Sequence, residues 1–336
     1  VKLGINVGYW QRNPEDATET VLAAERQGYD SVWTAEAYGS DAFTTLAWYG
    51  ARTSRIKLGT AVVQMSARTP AATAMHALTL DALSGGRLIL GLGASGPQVV
   101  EGWYGVPFPK PLARTREYLD ILRRIWARAE PLVNDGPHYP LPYPGGTGLG
   151  KPLKSIAHPL RPRIPIYLGA EGPKNITLAG EIADGWLPLF VDPQQIDSLF
   201  GDSLAGRAPD FDITATVTTV VADLESALAW AKIPMAFYIG GMGAKDKNFH
   251  LDLIGRLGYA EEAARVQELF LDGRRDEAIK AVPDELVDAI SLLGPIDRIK
   301  ERLQLWRDSP VSTLLIAGVT DEPTLKAIRS LVNEGL

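Results

Sequence analysis

Two rhythms of apolar residues alternate along this chain: short aliphatic or β-branched runs, and longer stretches in which apolar positions return every three or four residues. The first run, Leu3–Val7, ends at Gly8. Asn13-Pro14-Glu15-Asp16 then opens an amphipathic stretch to Gln27. There Asn13 suits a helix cap, Pro14 the first helical position and the two acids the positive helix end, with Gly28 as the stop. Ser31–Thr34 reads as a second strand, followed by a helix from Ala42 to Arg52. Ile56–Val63 and Arg87–Leu92 read as strands around a helix at Pro70–Leu83. A helix over Ala113–Arg128 leads into a Pro- and Gly-rich stretch, Pro131–Pro165, too long for an ordinary connection. This stretch is expected to be an inserted loop over one mouth of the fold.

Ile164–Gly169, Gly185–Phe190 and Ile213–Val221 continue the strands, with a helix at Pro173–Ile182 between the first two. Leu224–Asp308 is mostly helical, with Gly breaks at Gly240-Gly241-Met242-Gly243 and Gly294-Pro295, and reads as a second insertion. Val311–Val319 and Pro323–Val332 supply the last strand and helix. Eight strands alternating with helices predict an α/β protein, a (β/α)₈ TIM barrel with inserted loops and a helical insertion between strands 7 and 8. Residues 1–336 form one domain in this reading. An open doubly wound sheet shares the alternation, which does not by itself show closure.

A net charge of −6, with the acidic and basic residues interspersed, leaves no basic stripe for nucleic acid. The chain has no cysteine, which excludes thiolate metal sites and cysteine nucleophiles, so redox chemistry would need a bound cofactor. No run approaches the roughly 20 apolar residues of a membrane span, and Val1–Val7 reads as a strand instead of a signal peptide, so a cytoplasmic protein is expected. The four histidines, His76, His138, His158 and His250, are scattered without a metal-binding spacing, and no metal site is expected. A serine-hydrolase elbow is also missing.

Candidate chemistry lies at strand ends. Gly91-Leu92-Gly93-Ala94-Ser95-Gly96-Pro97 follows the fourth strand, where glycines let a ligand approach the backbone and Ser95 adds a hydroxyl. A plain Gly-rich turn explains the same residues, and the helix after it is not expected to begin at once. Leu168-Gly169-Ala170-Glu171-Gly172-Pro173-Lys174 joins a strand to a helix and aims free amides at one point, which suits a phosphate as well as it suits an empty capped helix. Glu36, framed by Trp33 and Tyr38, is either an acid, base or acceptor beyond the second strand, or a surface residue opening a helix. His76 reads as structural, and His138 and His158 as solvated loop residues. His250 follows a polar Gly-led loop, Met242–Phe249, that could close over a ligand, with Lys245 and Lys247 able to attract an anion.

At these residues the chain resembles the bacterial luciferase-like superfamily, in particular its actinobacterial members that use the deazaflavin coenzyme F420 and are related to methylenetetrahydromethanopterin reductase. The motifs are SVWTAEAYGSDAF (Ser31–Phe43), IKLGTAVVQMSARTPAATA (Ile56–Ala74), LSGGRLILGLGASGPQVVEGWYG (Leu83–Gly105) and PIYLGAEGPKNITLAGEIADGW (Pro165–Trp186). They stand in family order, and similarity continues through YIGGMGAKDKNFH (Tyr238–His250) to the last helix. The resemblance implies a barrel whose third strand ends in a cis peptide, at Ala61–Val62, against the cofactor ring. It also implies cofactor contacts from Asn6, Glu36, Thr60, Ala61 and Val62, from Gly93, Ala94, Ser95 and Gly96, and from Gly169, Ala170, Glu171, Gly172, Pro173 and Lys174. The family's sugar-phosphate dehydrogenases carry a glutamate after the fourth-strand glycines, where this chain has Pro97 and Gln98. Their acid catalysis is therefore not carried over.

The leading expectation is a homo-oligomeric oxidoreductase that moves hydride between coenzyme F420 and an organic small molecule. Glu36 is the first candidate for polar support or proton transfer, then Tyr38 and His250. The alternatives are a flavin mononucleotide (FMN) monooxygenase and a flavin-binding barrel without catalysis.

Overall fold

The aliphatic runs pair side by side as parallel strands because helices cover them on the outer face. The computed structural model describes residues 1–10, 13–243 and 247–334. The strands are β1 (Lys2–Gly8), β2 (Ser31–Thr34), β3 (Lys57–Thr60), β4 (Val63–Gln64), β5 (Leu88–Gly93), β6 (Ile166–Gly169), β7 (Gly185–Leu187), β8 (Asp212–Val221), β9 (Leu292–Gly294) and β10 (Thr313–Ala317). Neighbours run β1-β2-β3-β5-β6-β7-β8, and β10 closes the ring by pairing with both β8 and β1. The expected eightfold α/β barrel is the observed fold, and the open sheet is excluded by this closure.

Alternation along each strand sorts its residues. Val32, Leu58, Leu88, Leu90, Leu314 and Ile316 face the helices in the main core, whereas Trp33, Ile89, Tyr167, Leu187 and Leu315 fill the barrel interior. Gly59 makes this filling possible: a Cβ there would lie 2.2 Å from the Trp33 ring, so only glycine lets the indole cross the barrel. Asp212 closes the opposite end, accepting from Tyr167 Oη at 2.9 Å and Thr313 Oγ1 at 3.0 Å, and pairing with Lys2.

The helices around the barrel are α1 (Thr18–Arg26), α2 (Ala42–Gly50), α3 (Pro70–Leu83), α4 (Pro97–Gly102), α5 (Pro111–Ala127), α6 (Pro173–Ile182), α7 (Ile196–Leu204), α13 (Ile296–Arg307) and α14 (Glu322–Asn333). The insertion contributes α8 (Leu224–Gly241), α9 (Phe249–Ile254), α10 (Ala260–Leu271), α11 (Arg275–Ala281) and α12 (Asp284–Ala289). It has its own apolar cluster, which includes Ala236, Ile239, Val266, Leu286 and Leu293.

Several local expectations are corrected. Helix α1 starts at Thr18 with no side-chain cap, so Asn13 and Pro14 do not open it; the Asp16 carboxylate instead accepts from Thr18 N and holds a turn there. The strand expected at Ile56–Val63 is split into β3 and β4 around Ala61–Val62. Helix α4 begins at Pro97, directly after Gly96, where no immediate helix was expected. The insertion before β10 is mostly helical, as expected, and adds one short strand, β9, which pairs with the outer end of β8 at Thr219–Val221.

The loop over 131–165 reaches the edge of the mouth at Tyr139, which lines a small cavity with Ser66 and Ala94. It folds back along α5: Glu117 accepts from Asn134 Nδ2 at 2.8 Å and Tyr139 N at 2.7 Å, Tyr118 and Tyr139 meet edge to face, and Arg128 Nε reaches Ser155 O at 2.7 Å. His158 lies against Arg128, with Nδ1 3.0 Å from Nη1, and the His138 amide donates to Glu117. The contacts of the partly buried Glu117 decide where this loop goes, and loop composition carries no information about them.

Candidate active site

The Gly-rich segments after β5 and β6 meet Ala61–Val62 at the carboxyl ends of the strands, where barrel active sites are built. Gly93 and Gly169 are register partners on β5 and β6, and Val62 lies over both. A Cβ at Gly93 would approach Val62 Cγ2 to 2.6 Å, and one at Gly169 would approach Cγ1 to 3.1 Å. The two glycines therefore form the seat of Val62. The Ala61–Val62 peptide is cis, as the resemblance implied. Ala61 N donates to Thr34 O at 2.7 Å, and the buried Thr60 hydroxyl donates to Gly91 O at 2.8 Å while accepting from Gly91 N at 2.9 Å. Thr60 thus braces the mouth from beneath and has its hydroxyl engaged.

Asn6 sits at the mouth end of β1, its Oδ1 accepting from Gly8 N at 2.9 Å and its Nδ2 donating to Thr216 Oγ1 at 3.2 Å. On the β5 side, Ala94 packs on the core and Ser95 takes a left-handed conformation, φ 60°. Gly96 caps α4 without any side-chain partner.

Glu36 is buried, and four donors converge on its carboxylate. Oε1 accepts from Arg68 Nη1 at 2.7 Å and Gln64 N at 2.9 Å; Oε2 accepts from Arg68 Nη2 at 2.9 Å and Ala42 N at 3.3 Å. Glu36 N in turn donates to Val62 O at 3.3 Å. Arg68 also pairs with Asp41, the cap of α2. Burial alone would lower the Arg68 guanidinium, but Glu36 and Asp41 hold it above its ordinary value. The result is a clamp that joins the segment after β2 to the segment after β3. Sequence reasoning singled out Glu36 but missed Arg68 and Gln64, because only the fold brings them to it. Beside the clamp a pocket of about 200 Å³ is lined by Tyr38, Asp41, Trp103 and Tyr104 among others. Tyr38 is half-exposed there, its ring 6.4 Å from Trp103 and its hydroxyl 3.9 Å from Met242 Sδ.

On the β6 side, Ala170 is buried with its carbonyl accepting from Trp186 Nε1 at 2.8 Å. Gly172 caps α6 with no side-chain bond to the first turn, and a Cβ there would meet nothing within 4 Å. Pro173 and Lys174 are exposed on that turn. The insertion reaches over this loop. His250 Nδ1 stands 2.9 Å from Glu171 Oε1 without hydrogen-bond alignment, and Glu171 Oε2 is buried with no partner. Arg256 Nη1 donates to Glu171 O at 2.7 Å. The His250 ring meets Tyr238 edge-on at 5.1 Å, and Phe190 completes the aromatic wall. Burial pushes the Tyr238 phenol well above its ordinary value, aided by Tyr9, Glu171 and Tyr38, so it remains a proton donor at neutral pH.

The Gly-led stretch contributes differently from expectation. Helix α8 runs through Gly241, and Gly240 lets α10 approach, since a Cβ there would lie 2.3 Å from Phe270. Lys247 stands over the Phe108 and Phe249 rings, and Lys245 lies outside the described residues. His76 stacks on Phe43 at 5.1 Å, a ring that the Arg68 guanidinium also approaches, at 5.3 Å. Among the described residues there is no group of side chains able to hold a metal ion, and no helix is long and apolar enough to cross a membrane.

Residues 4–313 match the family model described as luciferase-like monooxygenase. A Mycobacterium tuberculosis protein with the provisional name coenzyme F420-dependent oxidoreductase is 53% identical over 335 residues, covering 96% of each chain. The 5,10-methylenetetrahydromethanopterin reductase of Archaeoglobus fulgidus is 31% identical over 94% of this chain and 92% of its own. Among solved structures, the coenzyme F420-dependent tetrahydromethanopterin reductase of Methanopyrus kandleri superposes with a TM-score of 0.80 at 24% identity, covering 100% of this chain and 99% of that one. This last likeness bears on the fold alone.

Proposed function

Since this chain belongs to the luciferase-like monooxygenase family, we propose that it is a coenzyme F420-dependent oxidoreductase that moves hydride between the deazaflavin and an organic small molecule. The observation that carries the reading is the full-length 53% identity to a relative named for that cofactor. Names of that kind favour F420 over FMN and an enzyme over a non-catalytic barrel.

The residues at the mouth fit such a cofactor. A ring needs a flat apolar support, and Ala61 and Val62 offer one over the Trp33–Leu315 interior. A phosphate needs unpaired amides with space in front of them, and the uncapped α6 with its open Gly172 has both. Bound there, the deazaflavin supplies the hydride chemistry itself. The chain's residues then have three tasks. Val62, seated on Gly93 and Gly169, would support one face. The Glu36–Arg68 clamp would keep that support in place, a positioning role that its four donors favour over proton transfer. Tyr238, Tyr38 and His250 line the side on which a substrate would enter, and Tyr238 is the donor best placed to hold a proton for a developing oxyanion. The pocket between Tyr38 and Trp103 is the space we assign to part of the substrate. Exposed Leu149, Leu153 and Ile156 support a homo-oligomer, which sedimentation would check.

Titration of the chain with F420 and with FMN, followed by cofactor fluorescence, tests the reading. Saturable F420 binding is expected. Saturable FMN binding without F420 binding would refute it.

A further inference from the structure

The peptide between Glu171 and Gly172 is gripped from the insertion. Arg256 holds its carbonyl at 2.7 Å, while His250 stands 2.9 Å from the side chain of the same Glu171. Arg256 reaches this point from the kink between α9 and α10, Gly255–Tyr259, where Gly258 leaves helical geometry with φ 102°. The kink is anchored in its own neighbourhood. Asn248 is buried, donates to Ile239 O at 2.6 Å and caps α9 by accepting from His250 N and Leu251 N.

In a trans peptide the carbonyl and the following amide point in opposite directions. A charged donor fixed on Glu171 O therefore turns the Gly172 N–H away from Arg256, and polarisation of the peptide makes that N–H a better donor. Space is open at Gly172, and no side chain caps the first turn of α6.

We infer that Arg256 is a positioning residue for the cofactor: by holding the Glu171 carbonyl it aims the Gly172 amide at the phosphate of coenzyme F420. This rests on the cofactor reading above. It assigns to the helical insertion a part in cofactor recognition, which the two Gly-rich motifs do not reveal. It also predicts that the contribution is specific to the phosphate, since a residue that merely stabilised the loop would affect the ring and the phosphate alike.

The test uses two probes, F420 and its phosphate-free chromophore 8-hydroxy-5-deazariboflavin, titrated against the whole chain. Arg256→Met should weaken F420 by about tenfold or more, the scale of a hydrogen bond to a charged group, and change the chromophore by less than about twofold. Arg256→Lys should recover part of the loss. Gly172→Pro deletes the amide at a position whose φ of −84° proline tolerates, and should weaken F420 similarly. Adding Arg256→Met to Gly172→Pro should then cost little more, because the two changes remove one interaction. Equal weakening of both probes, or additive losses in the double variant, would overturn the inference. Unfolding curves show whether each variant folds; if Arg256→Met does not, Arg256→Lys and the proline variant decide. Failure of the unsubstituted chain to bind F420 overturns the cofactor reading, and this inference with it, and is recognised because it needs no substitution.

Discussion

Replacing Glu36 by glutamine keeps the shape of the side chain and removes its charge, so it separates a clamp from a proton carrier. In the clamp each carboxylate oxygen accepts one Arg68 N–H and one backbone N–H. Whichever way a glutamine amide is turned, its NH₂ faces one Arg68 nitrogen and one backbone amide, so donor meets donor. Removing one partner of a buried ion pair costs about 3–5 kcal/mol. Asp41 still pairs with Arg68, which places the expected loss near the lower end, about 3 kcal/mol. For a chain of this size that corresponds to a fall in Tm of about 5 °C. Thermal unfolding of the cofactor-free chain measures it, and F420 affinity should fall as well, since Glu36 N also holds Val62 O. An unchanged Tm and unchanged affinity, with turnover lowered about 10²-fold once a substrate is in hand, would refute the clamp and return Glu36 to proton transfer.

Gly172→Val should lower F420 affinity by about tenfold by crowding the approach to the amides, whereas Lys174→Ala on the exposed turn should change it by less than about threefold. Because a Cβ at Gly172 meets nothing, denaturant unfolding of Gly172→Val should shift by no more than about 1 kcal/mol, the scale of a cap change; reversed affinities would assign the site to the lysine side chain. At the other end of the barrel, burial would raise the Asp212 carboxyl, but bonds from Ser312, the Lys2 charge and Tyr167 outweigh it and hold it below its ordinary value of 3.8. A depressed folded value stabilises above the unfolded one and is lost as pH falls through the folded one. Asp212→Asn should therefore be clearly less stable than the unsubstituted chain at about pH 6, with the gap closing below 3.8; a gap that stays constant down to about pH 2 would show that the charge contributes nothing.

Much of this protein can be read from periodicity. Aliphatic or β-branched runs mark all the strands of the closed ring: most are apolar on both faces, being covered by helices outside and filled side chains inside, while β8 is marked by its Thr and Val residues. The glycines at strand ends mark the mouth, and the motifs around Gly93 and Gly169 carry the family likeness. What they do there was not legible. That Gly93 and Gly169 seat Val62 depends on three strands arriving together, and that Glu36 is saturated depends on Arg68, 32 positions away. The path of the 131–165 loop along α5 depends on Glu117, and the start of α1 at Thr18 on a turn held by Asp16. The reach of Arg256 to Glu171 crosses 85 positions and leaves no local pattern. The order of residues specifies which faces are buried, because burial repeats with the period of the local backbone. Which partner a buried polar group finds is decided only when distant segments meet, since no period links them along the chain.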